Sequence, residues 1–376
     1  MGLGDVYKRQ VRIYVYYKIL HYHNSGVGSQ FKAGKEVNKM KKRLSLSAVA
    51  GRMKGNGAFF GVLLMLLIGC IINPTDFFTA RNLINVTRQS ATNGLLAFGM
   101  TYVMICGSID ISVASMLPLS AFLSLYISNY STVFAFIVPV IVCAAIGAFN
   151  GVLISKLNFP AMIATFSTQL FLRGVVHVLT GNSTYRPHNE NAALRILSTG
   201  SIFGVIPVAT VLLLVMFFLL NYLLKYQPTV RNIYAVGGNE EAAMMMGVNQ
   251  DRTLIIAHIF CGAMAGLAGI LMGARTGGAV PLGGDGYEML AIASAVIGGT
   301  YLSGGRGKLS GTLFGALVIG LLSNVFKMQD ILRSHWERVF IGSILLAVLL
   351  IQSAAGADIK KVKKLFLPKK RGAARV

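Results

Sequence analysis

The sequence predicts an all-α, polytopic membrane protein with about ten transmembrane helices and both termini cytoplasmic. Three observations predict it. The chain of 376 residues is 54% hydrophobic and only 13% charged, with a mean hydropathy of +0.63, whereas soluble domains carry roughly a quarter charged residues. Apolar runs near the roughly 20 residues that cross a bilayer recur along most of the chain. The basic charge lies outside those runs: residues 1–54 hold 12 Lys/Arg against 2 acids and residues 357–376 hold 8 against 1, out of a formal net charge of +22. Charge confined to tails fits cytoplasmic segments beside anionic lipid and argues against a nucleic-acid groove.

In chain order, residues 1–54 form a basic cytoplasmic tail, 55–355 the transmembrane domain and 356–376 a second basic cytoplasmic tail. The opening MGLGDVYKRQ looks like translated adapter sequence, so residues 1–39 are expected not to be native and Met40 to be the natural start. A native N-terminal peptide beginning well before Met40 would overturn that expectation. Ala58 to Ile72 has no small-residue cleavage pattern after it and reads as a first span rather than a signal peptide. Hydropathy gives ten spans, at about 57–73, 91–107, 112–128, 132–154, 160–179, 205–224, 253–273, 288–303, 310–326 and 339–355. Two basic tails on one side require an even number; eight is the alternative if 91–128 or 288–326 contains a re-entrant pair. Gly262, Gly266, Gly269 and Gly273, then Gly311, Gly315 and Gly320, give small-residue spacing suited to close helix approach within one bundle, with a dimer face as the alternative. Cys70, Cys106, Cys143 and Cys261 fall in apolar runs as small hydrophobes, and no metal-ligand spacing is visible.

The longest polar interruption is Tyr226–Arg252, placed on the cytoplasmic side. Gly237 and Gly238 release the backbone, Asn239 is an N-cap, and Glu240 and Glu241 occupy a first turn, where the helix dipole favours acids. Ala242, Ala243 and Met244 to Met246 continue the helix and Gly247 ends it. A helix of about two turns outside the bilayer suggests either a docking surface for a partner or an amphipathic segment resting on lipid.

Gly107–Ser112 and Gly298–Ser303 share the pattern G-[SG]-x-x-[IL]-S, a hint of internal duplication. Asp110, the one acid between the runs on either side of it, reads as a pathway residue or as a cap for the span opening near Ser112. Gly304 to Lys308 imitates a phosphate loop, but Leu309 stands where that loop needs Ser or Thr. No nucleophile elbow or H-E-x-x-H occurs, and the six His are scattered, so no catalytic residues and no enzyme are expected. The polar residues left in or beside spans are Asn150, Thr165, Ser167, Thr168, Gln169, Arg173 and Glu288; Thr165, Thr168 and Gln169 share a helix face. Neutral hydroxyls and amides suit an uncharged, hydroxyl-rich solute, and each also reads as an ordinary interhelical hydrogen-bonding group.

Four segments then carry a resemblance. NGLLAFGMTYVMICGSIDISVASM (93–116), PAMIATFSTQLFLRG (160–174), YAVGGNEEAAMMMGVN (234–249) and the run from Gly284 to Leu322 occur in one order across most of the chain. Together they resemble the permease subunits of ribose-type ABC importers, which handle monosaccharides and related small solutes. Ser108 and Ala114 stand where that family has glycines, and Phe166-Ser167 where it has Leu-Gly.

The resemblance implies a permease in the bacterial inner membrane, importing a small neutral solute such as ribose. It implies a second permease copy or paralogue, a cytoplasmic ABC ATPase and an extracytoplasmic solute-binding protein, with membrane lipid around the bundle. The chain would bind no cofactor itself, ATP and Mg belonging to the ATPase. Gly237, Gly238, Asn239, Glu240, Ala242, Ala243 and Gly247 would form the ATPase-coupling loop. Asp110, Ser112, Asn150, Thr165, Thr168, Gln169 and Glu288 are the candidates for the translocation path. The alternative is an ion-coupled secondary carrier, which needs a relay of intramembrane acids; only Asp110 and Glu288 are available for one.

Overall fold

The computed structural model describes residues 57–189, 191–328 and 334–356. Both basic tails, and with them the expectations about residues 1–39, lie outside the described residues. Helices α1 (Gly57–Ile72), α2 (Ala80–Ile105), α3 (Val113–Ile127), α4 (Thr132–Ser155) and α5 (Ala161–Thr180) follow one another. After short α6 (Ala192–Thr199) and a two-stranded ribbon, β1 (Ser201–Ile202) with β2 (Ile206–Pro207), come α7 (Val208–Tyr226), α8 (Pro228–Gly238) and α9 (Glu240–Met245). The chain then runs through α10 (Gln250–Thr276), α11 (Tyr287–Ile297), α12 (Leu309–Lys327) and α13 (Ser334–Gly356). Among the described residues the all-α class therefore holds apart from that four-residue ribbon and an isolated bridge between Tyr185 and Ala279. Among the described residues, α4, α5, α7, α10 and α12 are long and apolar enough to cross a membrane, while α1, α3 and α11 are shorter apolar helices.

Every span expected from hydropathy overlaps a helix, but two span boundaries and one loop assignment need correction. The span expected at 91–107 is the second half of α2, which begins at Ala80 behind an N-cap from Thr79. Hydropathy missed this first half because its polar groups find protein partners. Asn82 and Asn324 exchange amide hydrogen bonds at 3.1 and 2.7 Å, and Arg88 donates to the Thr199 carbonyl. The span expected at 288–303 is helical only to Ile297, because Gly299 takes a left-handed φ of +89° and turns the chain. Gly237 and Gly238, expected to be loop residues, close helix α8, which the sequence reading missed along with α6 and the ribbon.

The inner helices are α2, buried from Ser90 to Ile105, and α10, which packs against α4, α3 and α2. The glycine stripe makes this possible. A methyl at Gly262 would collide with the Cys143 carbonyl, and one at Gly266 would lie 2.8 Å from the Val140 Cα. Gly311 and Gly315 meet the Gly298 and Ser294 carbonyls in the same way. The stripe thus serves approach within one bundle. Helices α4, α5 and α7 keep an apolar face outward, with Ile141, Phe171 and Phe218 exposed, as lipid-facing helices do.

Candidate functional site

Short helix α9 is built as its sequence predicts. The Asn239 side chain accepts from the Ala242 N–H at 2.9 Å, and Glu240 and Glu241 fill the first turn. Gly247, at φ +80°, ends it: its N–H donates to the Met244 carbonyl, and the Val248 N–H to the Ala243 carbonyl. Ala243 is the anchor, 1% exposed in the main core. Glu240, Glu241, Ala242, Met244, Met245 and Met246 face outward, Met245 being 89% exposed. Two acids followed by three thioethers form a compact knob of adaptable apolar surface with a charged shoulder.

Beneath the knob three glycine segments meet, and sequence reasoning had treated them separately. A methyl at Gly237 would collide with the Ile105 carbonyl and approach the Gly305 nitrogen to 2.7 Å. One at Gly304 would lie 2.7 Å from the Gly237 carbonyl and 2.9 Å from the Gly107 Cα. The Gly305 N–H donates to the Ile105 carbonyl at 2.8 Å, and the Tyr234 hydroxyl to the Gly307 carbonyl at 3.0 Å. Burial pushes the Tyr234 phenol above its ordinary pKa, so it stays a neutral donor at physiological pH. Gly238, by contrast, opens onto free space.

The two glycine turns joined here have equivalent backbone caps. Ser108 and Gly107 donate to the Val103 and Met104 carbonyls; Thr300 and Gly299 donate to those of Ala295 and Val296. Gly107 therefore corresponds to Gly299. The shared pattern had aligned Gly107 with Gly298, one residue out of register.

Just past Gly107, polar residues from three helices converge. Asp110 Oδ1 accepts from the Ser112 N–H at 3.0 Å, the Ser112 hydroxyl at 2.5 Å and the Asn150 amide at 3.5 Å. Asn150 also donates to Ser112 Oγ at 2.9 Å, and the Thr168 hydroxyl donates to Asn150 Oδ1 at 2.7 Å. Thr165 bonds the Ala161 and Ile109 carbonyls, and the Gln169 carbonyl accepts from Ser115. All six expected path residues other than Glu288 are thus buried in one neighbourhood, where Asp110 braces the turn before α3 and joins a network rather than capping the helix. Asp110 Oδ2 and Gln169 Oε1 have no hydrogen-bond partner among the described residues. Glu288 stands apart, in the first turn of α11 beside a cavity that none of the other six lines. His258, which bonds the Leu254 carbonyl and the Ser108 hydroxyl, is a structural bridge.

Residues 82–349 match the family described as branched-chain amino acid transport system / permease component. The chain belongs to that permease family. The permease is 36% identical over 309 residues to the ribose import permease protein RbsC of Bacillus subtilis, covering 82% of this chain and 95% of that one. It is 34% identical to its counterpart in Haemophilus influenzae, covering 80% and 93%. To the D-allose transport system permease protein AlsC of Escherichia coli it is 31% identical, covering 77% and 89%. No solved structure matches. The permease is a transport subunit of the bacterial inner membrane rather than an enzyme, and permeases of ABC importers work with a separate ATPase and a solute-binding protein.

Proposed function

We propose that this chain imports a neutral monosaccharide, ribose or a close relative, and switches access when ATPase subunits press on α9. The observation that carries the solute is the 34–37% identity to ribose import permeases over nearly their full length. The family description names branched-chain amino acids, whose zwitterionic ends call for paired opposite charges. Hydroxyls and amides around a single carboxylate, as at Asp110, Ser112, Asn150 and Thr168, suit a polyol instead.

In this reading the domain 55–355 crosses the membrane ten times with both tails cytoplasmic, and α9 faces the cytosol. Two copies, or this chain and a paralogue, form the pathway, lipid covers the outer apolar faces, and no cofactor is held here. ATP and Mg act on the partner ATPase. Gly237, Gly238, Asn239, Glu240, Ala242, Ala243 and Gly247 form the coupling element, with Ala243 as its root. Asp110, Ser112, Asn150, Thr165, Thr168 and Gln169 lie at the coupling end of the path, where a shift of the glycine junction reaches them first.

Proteoliposomes holding the permease, its ATPase and its binding protein provide the test. Radiolabelled D-ribose is expected to accumulate when ATP is inside the ATPase-bearing face. Accumulation that follows a proton or sodium gradient without ATP would return the ion-coupled alternative.

A further inference from the structure

A cavity of about 580 Å³ opens between α2, α11, α12 and α13, within the roughly 300–1,000 Å³ range of small-molecule sites. It lies far from the coupling knob. Asn93 and Gln89 sit 12 and 16 residues along α2 from Ile105, or roughly 18 and 24 Å at the helical rise. Arg275, at the opposite end of α10 from the knob, also lines it. The cavity therefore belongs to the half of the bundle remote from the docking helix.

Its lining mixes apolar side chains, among them Leu290, Ile319 and Ile341, with charges of both signs in equal number. Arg275, Lys327 and Arg338 face Asp285, Glu288 and Glu337. Most of these groups have protein partners: Asp285 pairs with Arg338 at 3.6 Å and with Arg173 at 3.2 Å, Lys327 donates to Gln89 at 3.2 Å, and Ser323 donates to Glu337. Two acceptors do not. Asn93, 5% exposed, spends its amide N–H on Ser294 Oγ at 2.8 Å, and its Oδ1 has no partner among the described residues. The buried Oε2 of Glu288 likewise has none. A balanced rim repels no neutral molecule and holds no ion by net charge, while the two unpaired acceptors need O–H or N–H donors from whatever enters.

We infer that this cavity is a solute station on the outer half of the path, taking a neutral polyhydroxylated molecule whose hydroxyls donate to Asn93 and Glu288. The inference rests on the importer reading and assigns Glu288 to a place separate from the Asp110 network.

Gly342 supplies the test. It lines the cavity, and a Cβ added there meets no atom within 4 Å, so a larger side chain has room to enter from this position. In the reconstituted complex, Gly342→Trp is expected to lose uptake of radiolabelled D-ribose and D-allose, while Gly342→Ala keeps it. Glu288→Gln is expected to raise the half-saturating concentration about tenfold by weakening one charged hydrogen bond. ATPase activity stimulated by the binding protein should survive in all three. Uptake in Gly342→Trp equal to that in Gly342→Ala, with unmodified saturation in Glu288→Gln, overturns the station. Failure of the unaltered complex to take up either sugar with ATP overturns the importer reading, and the station with it.

Discussion

Asp110 is a fully buried carboxylate that satisfies itself through one oxygen. Three donors from Ser112 and Asn150 converge on Oδ1, and they offset part of the several kcal/mol that burying a charge costs. Removing the acceptor should be worse than neutralising it. Asp110→Ala strands those donors, at about 1–3 kcal/mol; Asp110→Asn keeps an acceptor in place. The alanine variant is therefore expected to melt several degrees lower in detergent than the asparagine variant. Equal melting temperatures would show that the acceptor network contributes nothing. The sequence could flag Asp110, Asn150 and Thr168 as costly polar groups near a membrane, because that follows from residue type alone. Which donor meets which acceptor depends on helix crossing, and spacing along the chain does not contain it.

At the scale of one element, α9 divides its labour between a buried root and an exposed crown. Ala243 fixes the helix to the bundle, whereas Met245 and Glu241 are exposed. Substitution at the crown should therefore spare the fold and spoil docking. Met245→Glu is expected to weaken ATPase co-purification about tenfold, the size of an exposed apolar anchor lost from an interface, with unchanged expression and melting temperature. Co-purification at the unmodified level would remove α9 from the interface. Local chemistry made this helix readable: a cap, a first-turn acid pair and a left-handed glycine are each encoded within a few residues. The preceding helix α8 went unread because its Gly237-Gly238 end looks like a break. Here Gly237 serves close approach to Ile105 and Gly305, within the helix.

For the whole molecule, the contacts place the turns at Gly107 and Gly304 and the knob at one end of the bundle, and the charged cavity toward the other. That arrangement gives sidedness a direct check. A cysteine at Met245 should be blocked by a membrane-impermeant maleimide only after spheroplasts are lysed, and one at Gly342 should react in intact spheroplasts. Labelling in the reverse order would invert the topology. Hydropathy could rank the spans but could not find the first half of α2, whose polar residues are hidden by pairing with Asn324 and Thr199 rather than by being apolar. The cavity was equally invisible, since Gln89, Asn93, Glu288 and Gly342 come from distant stretches of the chain.

The junction of Gly107, Gly237 and Gly304 brings main chain against main chain, with no side chain between. Side chains dissipate small displacements by hopping among rotamers, and peptide planes have no such freedom. A sideways nudge of an ångström at the knob thus has no cushion to compress. In the proposed coupling, that movement would reach the turns that start α3 and α12 together.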